Sequence, residues 1–220
     1  FKKQLFDIVK SNNYNYVMRI TSNALGFMDL KIAHKAGAEV CIARSSNSSD
    51  GGGVKSKIAH RLGRILYSKY VDVKIAPSDL AAKYTFGKKA YESGLVNIIH
   101  NAIDIEKYGY NAEMRQKIRA EFEISDGTTV FGHIGRLMTQ KNHGFLLEVF
   151  SEYIKANAKS VLILVGGGEL ESEIKRKASE SGISDKVIFA GVRSDVPALL
   201  SAMDVFVFPS LYEGMPNTVI

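Results

Sequence analysis

Eight short apolar, β-branched runs alternate along this chain with longer amphipathic stretches, and that rhythm constrains the architecture more than any other feature. The runs are Val17–Ile20, Val40–Ala43, Val73–Ala76, Val96–Ile99, Val130–Ile134, Val161–Val165, Val187–Ala190 and Val205–Phe208. The stretches of helical character include Ser22–Ala36, Val54–Tyr70, Asn142–Asn157, Glu169–Ser181 and Asp195–Ala202. Strand and helix in regular alternation imply parallel crossover units. Strands that are apolar nearly throughout are those covered by helices on both faces. The expected class is α/β, with doubly wound parallel sheets.

The rhythm breaks between Asn101 and Thr129, where a charged helical stretch, Ala112–Phe122, is followed by the polar turn Ser125-Asp126-Gly127-Thr128. The reading is two domains, 1–107 and 129–220, joined by a linker at 108–128. Both are expected to be incomplete. The first opens on a helix, and the second stops inside the apolar run Thr218-Val219-Ile220. Phe1 stands where a start methionine is usual, so the chain reads as an internal fragment.

Composition narrows the setting. No run approaches the roughly 18 consecutive apolar residues of a membrane span, and no signal-peptide core is present, so a soluble cytoplasmic chain is expected. A single cysteine, Cys41, excludes an intramolecular disulfide and reads as a small core residue. Residues 1–110 hold 17 Lys and Arg against 9 Asp and Glu, so the excess positive charge lies in the first half. Such a surface attracts phosphates, anionic lipid or nucleic acid, or is simply solvated.

Three strand-to-loop junctions carry candidate chemistry. In Gly132-His133-Ile134-Gly135-Arg136-Leu137-Met138-Thr139-Gln140-Lys141-Asn142, a strand ends at Gly135 and a helix starts near Asn142. Ligands of open α/β sheets bind at the carboxyl ends of strands. Gly135 permits close backbone approach, and Arg136, Lys141 and a helix N-terminus together suit a diphosphate. A surface Arg and Lys beside a helix cap is the alternative. In Val165-Gly166-Gly167-Gly168-Glu169-Leu170 the glycine spacing does not match the dinucleotide fingerprint, so a tight turn and a nucleotide contact both stand. In the third, Val205–Phe208 leads into Pro209-Ser210-Leu211-Tyr212-Glu213-Gly214-Met215-Pro216-Asn217, where a helix is expected to start. Glu213 can accept hydrogen bonds from sugar hydroxyls, and the amides of Gly214, Met215 and Asn217 can face a phosphate. Glu213 is equally suited to a helix start favoured by the dipole.

Gly135-Arg136 with Lys141-Asn142, the triple glycine with Glu169-Leu170, Phe189-Ala190-Gly191-Val192-Arg193, and Pro209-Ser210 with Glu213-Gly214 stand in the order found in family 4 retaining glycosyltransferases. The chain resembles those enzymes over nearly its whole length, and bacterial capsular and exopolysaccharide enzymes in particular. The resemblance implies a GT-B fold of two Rossmann-like domains. It implies transfer of a sugar from a nucleoside diphosphate sugar, a UDP-sugar foremost, to a glycan or lipid-linked acceptor. Retention at the anomeric carbon, with no cofactor and no metal, goes with it. Arg136 and Lys141 then bind the donor diphosphate with Gly135, Gly214, Met215 and Asn217. Glu213 contacts the donor sugar as the first acid of a Glu-x7-Glu motif, whose second acid would stand at position 221. Gly167, Gly168, Glu169, Val192 and Arg193 border the nucleotide. The segment where relatives carry histidines holds Arg44, Ser46 and Asn47, which take the acceptor side.

Weaker features leave readings open. His34, His60, His100, His133 and His143 show no metal-ligand spacing; His133 reads as core, and His143 as a helix-start residue within reach of the phosphate loop. Asp104-Ile105-Glu106 is the nearest approach to a carboxylate pair and reads as a helix start. In Val54–Tyr70, Val54, Ile58, Leu62, Ile65 and Leu66 follow helical spacing, with Lys55, Lys57, Arg61 and Arg64 mainly elsewhere on the wheel. That helix either rests on anionic membrane or an acceptor pyrophosphate, or packs its apolar stripe on the sheet. The loop Ser45–Gly53 before it, rich in Ser and Gly, is expected to be mobile at the acceptor cleft. An epimerase or phosphorylase on the same fold and a noncatalytic nucleotide- or glycan-binding module are the rival readings. Nucleic acid is not an expected partner, because no recognition motif is present.

Overall fold

The computed structural model describes every residue except Asp50, which falls in the Ser45–Gly53 loop. Its contacts divide the chain into two units. One comprises Phe1–Ala102 with Tyr212–Asn217, the other Ile103–Leu211 with Thr218–Ile220.

The first unit holds α1 (Lys2–Ser11), β1 (Tyr16–Thr21), α2 (Phe27–Lys35), β2 (Val40–Ser45), α3 (Val54–Tyr67), β3 (Val73–Ala76), α4 (Asp79–Phe86), α5 (Lys88–Glu92) and β4 (Asn97–Ile98). Its sheet runs β1-β2-β3-β4, every pair parallel. The core gathers Phe27, Leu30 and Ala33 of α2, Cys41 and Ala43 of β2, and Ala81, Ala82 and Phe86 of α4. The rings of Phe27 and Phe86 stack at 5.6 Å. Burial pushes the Cys41 thiol up, which keeps it a protonated packing group.

The second unit holds α6 (Ala112–Glu121), β5 (Thr129–Ile134), α7 (His143–Ala156), β6 (Ser160–Val165), α8 (Glu171–Glu180), β7 (Val187–Gly191), α9 (Val196–Ala202) and β8 (Val205–Phe206). Its parallel sheet has the order β7-β6-β5-β8. Strand alternation sorts its residues between two cores. Leu162 and Leu164 of β6 pack with Leu146, Leu147 and Phe150 of α7 and Ile174 of α8. Ile163 and Val165 pack with Ile118 of α6 and Leu199 and Ala202 of α9. Helices therefore cover both faces, as the unbroken apolar strands require.

Asp204 fastens α6 to this sheet. Its carboxylate pairs with Arg115 at 2.5 Å and Arg119 at 2.6 Å, and accepts from Val130 N at 2.7 Å. Burial alone would raise its pKa, but the Val130 amide and the two guanidiniums outweigh that and hold it below the usual range. The linker segment thus contributes a packed helix to the second unit.

The structure sets aside one of the two readings of the Val54–Tyr70 stretch. Helix α3 does not pack its apolar stripe on the sheet: Val54, Ile58, Leu62, Ile65 and Leu66 are all exposed. It packs instead through His60 and Gly63, on the opposite side. A Cβ on Gly63 would lie 2.8 Å from Ala24 O, so only glycine lets the helix approach this closely. His60 Nδ1 accepts from Ala24 N at 3.0 Å and its Nε2 donates to Tyr84 O at 2.9 Å, with the His60 and Tyr84 rings stacked at 4.4 Å. These polar anchors set the helix's orientation, which the apolar stripe alone would have set the other way.

Candidate functional site

In the second unit the chain winds outward from β5 to β6 and β7, then returns to lay β8 on the other side of β5. The strand order reverses between β5 and β8, and a crevice opens at the carboxyl ends of strands at such a point. Gly135 and Arg136 follow β5 there, and Val207, Phe208 and Pro209 follow β8.

The loop after β5 makes a 3-10 turn, Thr139–Lys141, and then Asn142 turns left-handed at φ 54° to start α7. Asparagine tolerates that conformation better than most residues. Among the described residues no side chain caps α7, and its first turn contains no acid. Its free amides and dipole make an anion site. Two cations stand at this end. The Lys141 ammonium lies 5.2 Å from the Phe208 ring centroid, a cation–π contact within the crevice. Arg136 is exposed and forms no ion pair among the described residues. Leu211 N donates to Gln140 O at 2.9 Å, joining the loop after β8 to the loop after β5. The Ser210 hydroxyl is buried here with no partner among the described residues.

The triple glycine is a backing to this loop. A Cβ on Gly166 would lie 2.1 Å from Gly135 O, and one on Gly168 2.4 Å from Leu137 O. Gly166 also has φ +131°, which L side chains rarely adopt. Leu137 N donates to Gly167 O and Leu170 N to Leu137 O, both at 3.0 Å. The close-packing role of these glycines is therefore explicit. Gly167 and the exposed Glu169 border the ends of β6 and α8, and Val192, exposed at the end of β7, lies beside Gly167. The Arg193 guanidinium is committed elsewhere. It pairs with Glu121 at 2.5 Å and Asp195 at 2.7 Å, which raises its own pKa and lowers both carboxyls.

Two buried histidines lie beneath the loop. His133 Nδ1 donates to Val207 O at 2.8 Å, and its ring meets that of His143 edge-on at 4.9 Å. Burial first, then the neighbouring His133 and Lys141, push the His143 pKa down to about 4. His143 is therefore neutral at pH 7 and both its ring nitrogens are buried without a partner among the described residues.

The remaining predicted residues gather in the first unit. Arg44 Nη2 donates to Asn101 Oδ1 at 2.5 Å, and Asn101 Nδ2 donates to Met215 O at 2.6 Å. Ser78 Oγ donates to Gly214 O at 2.8 Å, and Ser48 Oγ donates to Glu213 O. A Cβ on Gly214 would meet Ser46 O at 2.4 Å. Asn47 O accepts from Ser45 Oγ at 3.2 Å. The helix expected after Glu213 is replaced by a loop with one 3-10 turn, Asn217–Val219. The carbonyls of Glu213, Gly214 and Met215 accept instead from the side chains of Ser48, Ser78 and Asn101.

Residues 128–220 match the family described as glycosyl transferases group 1. This segment is similar to the glycosyl transferases group 1. The putative glycosyltransferase EpsF of Bacillus subtilis (strain 168) is 29% identical over 223 residues, covering 100% of the chain and 58% of EpsF. An Escherichia coli UDP-Gal:alpha-D-GlcNAc-diphosphoundecaprenol alpha-1,3-galactosyltransferase is 33% identical over 57% of the chain and 33% of its own length. The chain thus spans less than two thirds of these relatives. Among solved structures, Anabaena Alr3699/HepE in complex with UDP-glucose superposes with a TM-score of 0.75 at 20% identity, covering 95% of the chain and 56% of HepE. At that identity the likeness shows the fold, and both sheets follow the GT-B fold.

Within the second unit, sequence reasoning missed Phe208 as the platform for Lys141 and Ser210 as a buried hydroxyl. Phe208 was read as strand interior because it ends an apolar run. The polar residue following Pro209 was the available signal for Ser210.

Proposed function

We propose that the protein containing this chain is a hexosyltransferase that uses a nucleoside diphosphate sugar, UDP-sugar foremost, and that the crevice between β5 and β8 binds the donor diphosphate. What supports this reading is that Arg136 leaves β5, and Lys141 and the uncapped N-terminus of α7 follow it in the same loop, at the point where the strand order reverses. UDP-glucose and UDP in solved structures of the same fold, and the UDP-Gal in the name of the Escherichia coli relative, support the choice of donor.

As the bond from the anomeric carbon to the diphosphate oxygen breaks, negative charge grows on the leaving phosphates. Arg136, Lys141 and the α7 amides meet that charge, so they stabilise the transition state more than the bound donor. The acceptor hydroxyl forms the new bond to the same carbon, and its proton passes to the leaving phosphate oxygen. The reading includes retention of configuration, no metal and no cofactor. Glu213 takes the donor sugar, and Arg44, Ser46 and Asn47 the acceptor side. The acceptor is a glycan or lipid-linked saccharide, which the diphosphoundecaprenol relative supports. Among the described residues no helix is long and apolar enough to cross a membrane, and we place the protein in the cytoplasm with peripheral contact to the inner face of the membrane.

The test is calorimetric titration of the complete protein with UDP, with and without EDTA. Lys141→Ala and Arg136→Ala should each weaken UDP binding on the order of tenfold and lower turnover on the order of a hundredfold. Unchanged UDP affinity in both variants, or binding that EDTA abolishes, would overturn the reading.

A further inference from the structure

Helix α3 turns its apolar residues away from the fold. At about 100° per residue, Val54, Ile58, Leu62 and Ile65 fall on one side and the packed residues His60 and Gly63 on the other. The outward residues are 73%, 54%, 49% and 67% exposed in that order. Lys57 and Arg61 border the stripe on one flank and Lys55 on the other, all exposed. Between Val54 and Tyr70 there are five Lys and Arg and no acid. At the helix's far end the basic border continues beside aromatic rings. Lys31 lies 5.4 Å from the Tyr67 ring centroid, and Lys69 lies 5.2 Å from that of Tyr70.

We propose that the outward face of α3 docks on an anionic lipid surface, with Val54, Ile58, Leu62 and Ile65 entering the acyl boundary and Lys55, Lys57 and Arg61 meeting the headgroups. An apolar face with basic borders on both flanks is what a helix lying in a membrane interface presents. Charge decides the occupant. A second copy would bring basic border against basic border. A neutral apolar partner would make no use of the exposed Lys55, Lys57 and Arg61. An anionic bilayer satisfies both the stripe and its borders, since each Lys or Arg near such a surface adds attraction. The fold-facing side explains why this arrangement is stable: Gly63 and the hydrogen-bonded His60 hold the helix without any of the stripe residues. This inference deepens the reading of a lipid-linked acceptor, but it involves neither Arg136 nor Lys141 and can fail separately.

The test is flotation of the complete protein with vesicles of phosphatidylcholine alone or mixed with phosphatidylglycerol, with UDP binding measured alongside. Wild type should float with the anionic vesicles and far less with the neutral ones. Because the substituted side chains are exposed, the variants should keep their fold and their UDP affinity. Ile58→Ser with Ile65→Ser, and separately Lys57→Glu with Arg61→Glu, should each weaken anionic-vesicle binding on the order of tenfold or more. Equal binding by wild type and both variants would overturn the proposal, as would no preference for anionic vesicles. So would concentration-dependent dimerisation that Ile65→Ser abolishes without any vesicle binding, which would give the face to a second copy. Loss of UDP binding in Lys141→Ala with vesicle binding intact supports both readings. Intact UDP binding in that variant counts against the donor site alone.

Discussion

Helices α3 and α7 have the same length, 14 residues, and both carry a clear apolar stripe, yet they use it in opposite ways. Helix α7 buries Leu146, Leu147 and Phe150 against β6 and leaves its N-terminus uncapped at the end of the loop after β5. Helix α3 buries a histidine and a glycine and leaves its stripe outside. Periodicity specifies that a helix forms and where its apolar side lies. It does not specify which side faces the fold, because a few close-packing or hydrogen-bonded positions can outweigh the stripe.

The contrast can be broken most directly by truncating one apolar residue in each helix. Phe150→Ala should cost about 3–5 kcal/mol, since the ring is buried and meets Phe131 edge-on at 5.6 Å. Ile65→Ala should stay within about 0.5 kcal/mol, as an exposed substitution does. Urea unfolding of the two variants measures both, and a comparable loss in each would show that α3 packs its stripe after all.

A smaller effect sharpens the α7 side. The His143 pKa, about 4 when folded against 6.5 ordinarily, means the unfolded chain takes up a proton first as pH falls. Its contribution to stability is complete above pH 6.5 and declines as pH drops towards 4, by on the order of 2–3 kcal/mol. The thermal midpoint of wild type should fall over that window more steeply than that of His143→Leu; parallel curves would remove His143 as the cause. The smallest effect tests the anchor of α3. Gly63→Ala should lower stability by about 1 kcal/mol even though alanine favours helices by nearly that much, because the added methyl meets Ala24 backbone. A stabilised variant would show that α3 has room to shift.

The strands were the legible part of the fold. β5 and β6 were readable almost to the residue because both faces are covered and every position except His133 is apolar or small. β8 was expected over Val205–Phe208 and pairs only at Val205–Phe206, since the chain leaves the sheet to place Phe208 beneath Lys141. The short helices α4 and α5 carry too few turns for their periodicity to stand out. In the site, the Gly135–Asn142 loop was legible from its glycine, its cations and the helix beyond. The burial of His143 was not, because a histidine at a helix start reads as exposed unless a second histidine is known to lie against it.

The interlock of Gly166 and Gly168 with the Gly135–Leu137 backbone has a consequence for ligand capture. Two main-chain segments that leave no space for a methyl group between them hold their course whether or not an anion is nearby. On the proposed reading, an incoming diphosphate meets a receptor already shaped, and little of its binding free energy is spent on immobilising that segment. Widening either glycine would loosen the cradle before it touched a single charge.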